Sequence, residues 1–163
     1  MTLSALIAKQ FRDLHFGGNW TGVNLKETVK DLSWQEATEK IDSFNTIATL
    51  MYHTHYYVEI VTNVLLGQPL QGKDTDSFEH PPVQSRENWE QLLEHVWMDA
   101  ENFALLVEGL PDSKLEENFS GEKYGSYFRN IQGITEHTHY HLGQIVLLKK
   151  MIREKVPGNV PVK

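Results

Sequence analysis

The sequence predicts an all-α protein, a four-helix bundle with long inter-helix connections, on three observations. Four long stretches repeat apolar residues at intervals of three and four. No stretch alternates apolar with polar residues as a half-buried strand does, and all six prolines fall between or after the long stretches. At 163 residues the chain has the length of one domain able to bury its own core, so residues 1–163 are read as a single unit.

The first helix is expected over Leu3 to Leu14, with Leu3, Leu6, Ile7, Phe11 and Leu14 on one face and Ser4 near its start. Gly17 to Ser33 then reads as a long loop, opened by Gly17-Gly18-Asn19 and holding Trp20, Gly22 and Asn24. Loops of that length are usually functional or mobile. Ser33, with Glu36 three residues on, forms a capping box for a second helix, and no Pro or Gly interrupts Trp34 to Leu66. Its expected stripe holds Phe44, Ile47, Ala48, Met51, Val58, Val61 and Leu65. Leu50, Tyr57, Ile60 and Val64 make other faces apolar too, so this helix is buried on several sides.

Gly67 stops it, and Gln68 to Gln84, with Pro69, Gly72, Pro81 and Pro82, is a second long connection. Ser85 and Asn88 start a third, amphipathic helix through Trp89, Leu92, Leu93, Val96, Ala100, Phe103, Ala104 and Val107, ended by Gly109 and Pro111. The fourth is expected from Tyr127 to Lys155, with Ile131, Ile134, Ile145, Leu148 and Ile152 inward. Gly133 and Gly143 inside it each cost about 1 kcal/mol relative to Ala, and close packing is the expected reason.

Composition narrows the function. A net charge of −7 argues against a nucleic-acid-binding surface, and the one basic cluster, Lys149, Lys150, Arg153 and Lys155, falls where the last helix ends and suits its negative pole. Without cysteine there is no disulfide, thiolate metal site or cysteine nucleophile, so a metal must use His, carboxylates or water. Met1 to Phe11 carries Lys9 inside an amphipathic stretch, unlike a secretion signal, and no apolar run has the length of a membrane span. A cytoplasmic protein without membrane or nucleic-acid partners is therefore expected.

The chemical signal lies in Glu136-His137-Thr138-His139-Tyr140-His141-Leu142-Gly143-Gln144. At about 100° per residue His137 and His141 share a face one turn apart, while His139 points to roughly the opposite side. The pair continues the stripe of Ile134, Ile145, Leu148 and Ile152, where imidazoles need partners: hydrogen bonds from neighbouring helices, or one metal ion. A third ligand must come from Met51-Tyr52-His53-Thr54-His55-Tyr56-Tyr57, whose two histidines also point apart, and periodicity leaves His53 and His55 both open. A zincin needs Glu after its first His, where Thr138 stands, and a di-iron bundle needs a second Glu-x-x-His beyond Glu136 to His139. One mononuclear site fits best. His15, His80 and His95 are expected as exposed surface histidines.

Four segments, Phe16-Gly17-Gly18-Asn19-Trp20-Thr21, Tyr52-His53-Thr54-His55-Tyr56-Tyr57, Tyr124-Gly125-Ser126-Tyr127-Phe128-Arg129-Asn130 and Glu136 to Ile145, resemble the DinB/YfiT-like superfamily of metal-binding four-helix bundles over nearly the whole chain. That resemblance implies one metal histidine on the second helix and a His-x-x-x-His pair on the fourth, which names His53, His137 and His141. It implies one divalent ion such as zinc, nickel, iron or manganese, since an all-imidazole set does not choose among them. It also implies a low-molecular-weight thiol of the bacillithiol or mycothiol type as a partner, and a homodimer. The activity expected from it is thiol transfer to a small electrophile, or a related hydrolysis or isomerisation. The competing class is a non-catalytic, metal-stabilised bundle with a binding or stress-response role.

Around such a site Glu136, His139, Tyr140 and Gln144 are candidates to support the ligand imidazoles. Arg129 is a candidate for an anionic substrate or thiol, and Trp20, Tyr56 and Tyr57 for the pocket wall.

Overall fold

The computed structural model describes residues 1–154, and among them there are six α-helices and no strand, only an isolated bridge between Asn118 and Ser126. Four helices make the bundle: α1 (Leu3–Phe16), α4 (Ile47–Leu65), α5 (Arg86–Glu108) and α6 (Tyr127–Glu154). In order of contact, α1 lies against α5, α5 against α4, α4 against α6, and α6 closes on α1. No helix of the described residues is long and apolar enough to cross a membrane.

Side-chain oxygens start these helices by accepting otherwise unpaired first-turn N–H groups. Thr2 caps α1 through Ala5, Thr46 caps α4 through Thr49, and Ser85 caps α5 through Asn88. Ser126 Oγ does the same for Arg129 N at the start of α6. Lys155, expected as the last residue of α6, lies outside the described residues.

Two expected elements differ. The long loop after α1 contains a short helix, α2 (Leu25–Val29), capped by Asn24 and buried through Leu25 and Val29. The uninterrupted second helix is two: the Ser33–Glu36 capping box does start a helix, but α3 ends at Thr38 (Trp34–Thr38), and α4 begins only at Ile47. Glu39 leaves helical geometry at ψ 127°, and Asp42 takes φ 47°, a left-handed conformation its short polar side chain tolerates. Thr46 then restarts the helix. Phe44, expected on the inward stripe, therefore lies outside a helix and is exposed, as are Leu3 and Leu6 on α1.

The basic end of α6 clamps this irregular segment in place. Lys149 Nζ donates to Thr28 O at 2.6 Å and to Asp31, and Arg153 donates to Asp31 and to Glu36 Oε1 at 2.9 Å. Hydrogen bonds from Lys149 and then Arg153 push the Asp31 carboxyl down to about 2. These cations thus hold α2 and α3, a more specific role than suiting a helix end.

The core has two apolar halves. One gathers Leu14, Leu25, Ile47, Met51, Leu142 and Ile145, the other Phe11, Val58, Phe103, Ala104 and Ile131. Between them runs a buried polar layer of His15, His53, Thr54, His55, Thr135, Thr138 and His141. His15 is thus a core residue, not the surface histidine expected, and its Nδ1–H donates to Phe11 O at 2.9 Å. His80 is half-buried, with Nε2 3.1 Å from Thr49 Oγ1, and His95 is exposed.

Candidate metal centre

Successive turns of α6 carry His137 and His141 inward in the polar layer, and the middle of α4 brings His53 to meet them. His53 Nε2 lies 3.1 Å from His137 Nε2, and His141 Nε2 lies 3.0 Å from the same atom. One ligand nitrogen from each of the three falls within 4.8 Å of the others. His55, about 200° further round α4, faces α5 instead, with Nε2 3.3 Å from Asp99 Oδ2. The alternative left open by periodicity is settled in space: His53 belongs to the cluster and His55 does not.

The outer nitrogens determine the tautomers. Ser77 Oγ donates to Asp74 O at 2.6 Å, so it accepts from His53 Nδ1–H at 2.9 Å. Gln144 Oε1 accepts from His141 Nδ1–H at 2.7 Å. A neutral imidazole has one N–H, so the Nε2 atoms of His53 and His141 are both bare lone pairs aimed at His137 Nε2. That atom can offer at most one proton to the two of them, and a His137 proton on Nδ1 instead would be buried without a partner. Burial pushes all three imidazoles below their ordinary range, His137 to about 4 with help from His141 and His53, so they are neutral near pH 7.

Three lone pairs converging on one point fit a cation. Nitrogens bound at about 2.0–2.1 Å to one tetrahedral ion sit roughly 3.3 Å apart, close to the 3.1 and 3.0 Å that separate His137 Nε2 from the other two. The residues therefore suit a metal ion, and three imidazoles leave a coordination position open.

The 3-10 turn Asp74–Phe78, in what reads as a bare connection, supports the cluster. Phe78 stacks on the His53 ring at 4.2 Å, Ser77 holds its Nδ1, and Tyr57 Oη donates to Asp74 Oδ1. Tyr56 Oη accepts from Lys73 N and donates to Lys73 O, tying the connection to α4. Sequence reading missed Asp74, Ser77 and Phe78; their only signal was the length of the connection. Because such outer bonds fix ligand orientation, Ser77→Ala and Gln144→Ala are each expected to weaken metal binding by roughly 10- to 100-fold, read by competition with a chelator.

Beside the cluster is a cavity of about 620 Å³ whose wall includes His53 and His137. Tyr57, Ile60, Leu70, Phe119 and Ile134 give it an apolar side, and Lys73, Asp74, Arg129 and Glu136 a charged one. Arg129 is exposed and donates to Tyr124 O at 3.0 Å. Gly133 also lines this cavity, and a Cβ there would meet nothing within 4 Å, so open space and not close packing accounts for it.

Of the supporting candidates, Gln144 touches a ligand nitrogen, Tyr57 packs edge-on against His137, and Tyr140 meets the His141 ring from a largely exposed position. Glu136 borders the cavity without bonding a ligand. His139 and Trp20 lie elsewhere, together on a groove between α1 and α6, and Trp20 is fully exposed. Positive φ at Gly17 and Gly18 turns the chain after α1 outward, which carries Trp20 away from the cluster.

Fold and site together define an all-helical bundle with a three-histidine cluster suited to one metal ion. No protein-family model matches the chain, and no curated protein or solved structure matches it.

Proposed function

We propose that this protein binds one divalent metal ion through His53, His137 and His141 and uses it to activate a small thiol or water against an electrophilic substrate held in the adjoining cavity. The convergence of three imidazole lone pairs at the wall of a substrate-sized cavity carries this reading. Zinc, nickel, iron and manganese all suit the donor set. The ligand arrangement agrees with the one implied by the resemblance to DinB/YfiT-like proteins, and we infer membership of that superfamily from the motifs.

A divalent cation supplies Lewis acidity, lowering the pKa of a thiol or water beside it so that a nucleophile exists near neutral pH. The chain's own residues do the rest. Ser77 and Gln144 hold two imidazoles in the ligating tautomer, and Arg129 and Lys73 favour an anionic group such as the carboxylate of a thiol or substrate. The apolar wall of Tyr57, Ile60, Leu70, Phe119 and Ile134 suits the uncharged part of such a substrate.

The test is elemental analysis of protein purified without a nickel column, followed by thiol-conjugation assays of the metal-loaded protein over panels of thiols and electrophiles. About one ion per chain and thiol-dependent turnover are expected. Stoichiometric metal with no turnover of any thiol would favour the metal-stabilised binding protein instead. Gly133→Leu, which narrows the cavity, is expected to keep the metal and to lower turnover at least roughly tenfold; loss of metal in that variant would mean the cavity and the cluster are not separable.

A further inference from the structure

A second groove, of about 360 Å³, lies between α1, α6 and the loop that follows α1, and it shares no lining residue with the cavity beside the histidines. Its volume is within the range of small-molecule sites. Trp20 stands on its wall, fully exposed. The loop that carries Trp20 is nonetheless ordered. Asn19 Nδ2 donates to Thr21 Oγ1 at 2.8 Å and to Val23 O at 2.7 Å, and Gly22 N donates to Asn19 O at 3.0 Å. A built turn thus presents an indole that packs against nothing.

Two buried polar atoms on residues of the same groove have no partner among the described residues. Val23 O can only accept, so the Asn19 atom bonded to it is the nitrogen, and the orphan is Oδ1, an acceptor. The other is Oγ1 of Thr135, a residue only 4% exposed. Thr28, Thr38, Thr54 and Thr62 bond back to the carbonyl four residues earlier, but Thr135 does not. A helical threonine has two open rotamers, so this hydroxyl is able to turn toward a molecule in the groove. The charged side chains there, Lys9 and Asp13, pair with each other.

Each of these groups selects a property of the ligand. A flat, unpacked indole selects a ring that stacks on it. Mutually paired charges select an uncharged molecule. An orphan acceptor and an orphan hydroxyl select an edge that carries an N–H donor and a ring nitrogen or carbonyl acceptor. We propose that this groove is a second binding site, for an uncharged planar nitrogen heterocycle of the nucleobase or nucleoside type, stacked on Trp20 and hydrogen-bonded to Asn19 Oδ1 and Thr135 Oγ1. Nucleotides fit less well, because no unpaired Lys or Arg lines the groove to meet their phosphates. The proposal is independent of metal binding.

Calorimetric titration of the full chain with adenosine, inosine, cytidine and uridine tests it, with the indole N–H resonance of Trp20 followed by NMR. At the efficiency usual for small ligands, a nucleoside of about twenty non-hydrogen atoms binds with a Kd of roughly 100 µM. At least one of the four is expected to saturate near that value and to shift the Trp20 resonance. Trp20→Leu, which disturbs no packing, is expected to weaken binding roughly 5- to 150-fold, and Trp20→Phe to recover most of it. Thr135→Val is expected to weaken binding about tenfold without lowering the melting temperature, since it removes a buried hydroxyl that nothing in the fold uses. Four results would each overturn the proposal: no saturable binding of any of the four nucleosides, binding undiminished in Trp20→Leu, a lowered melting temperature in Thr135→Val, or tighter binding of methyl glucoside than of the nucleosides.

Discussion

His137→Ala is expected to abolish stoichiometric metal binding, with the same result for His53→Ala and His141→Ala, while His55→Ala keeps about one ion per chain. Apparent binding energies of about 10–16 kcal/mol for four-ligand structural zinc sites correspond to roughly 2.5–4 kcal/mol per ligand, a loss of about 60- to 700-fold in affinity. His137 should be the most sensitive, because its Nε2 is the atom both other imidazoles approach. His55 is the informative control: it is equally a histidine of α4, two residues from His53, but faces Asp99. Elemental analysis of the four variants decides the matter, and metal retained in His137→Ala or lost in His55→Ala would refute the ligand set.

The second large effect is acid destabilisation centred on His15. Burial holds its pKa at about 4, against 6.5 for an exposed imidazole, with the bond to Phe11 O opposing the shift. Between pH 6.5 and 4 the unfolded chain therefore binds a proton here that the folded chain does not, so stability falls as pH falls through that window and the penalty is complete below pH 4. The difference corresponds to about 3 kcal/mol, a large part of the stability of a domain this size. Urea denaturation at pH 7.5 and pH 4.5 should show it, and His15→Gln, which keeps an N–H donor but cannot titrate, should flatten the pH dependence by about one proton. An unchanged slope in that variant would show that His15 is not the group responsible. Metal-free protein is the right sample, because protonation also releases metal from the cluster.

The position of the site in the bundle links these two results. His15, His53, His55 and His141 lie in one buried polar layer between two apolar halves, where aliphatic side chains would pack more favourably. Neutral imidazoles are tolerable there only while each has a partner, and a cation would partner the three clustered ones fully.

Much of this was legible in the sequence. Periodicity and the placement of proline located the four bundle segments, the second of them overextended to Trp34, and the four-residue spacing of His137 and His141 determined that they share an inward face, because helical geometry converts spacing directly into direction. The end of the third helix and the capping box at Ser33 were likewise local matters of backbone hydrogen bonding.

Other features depended on which surfaces meet. No Pro or Gly marks the break between α3 and α4, since Asp42 adopts the left-handed turn itself. Residue spacing made His53 and His55 equal candidates; only the packing of α6 on one side of α4 and α5 on the other separated a ligand from a partner of Asp99. The supports from Asp74, Ser77 and Phe78 lie more than twenty residues from His53 in the chain and reach it through the folding of a connection that has no periodicity. Trp20 and His139 stand in motifs beside metal-site residues yet face another groove. Sequence by itself determined where the long helical segments lie and the relative direction of side chains within each helix, because both follow from short-range geometry; the tertiary structure alone decided where the second segment breaks and which directions converge, because both depend on neighbouring elements.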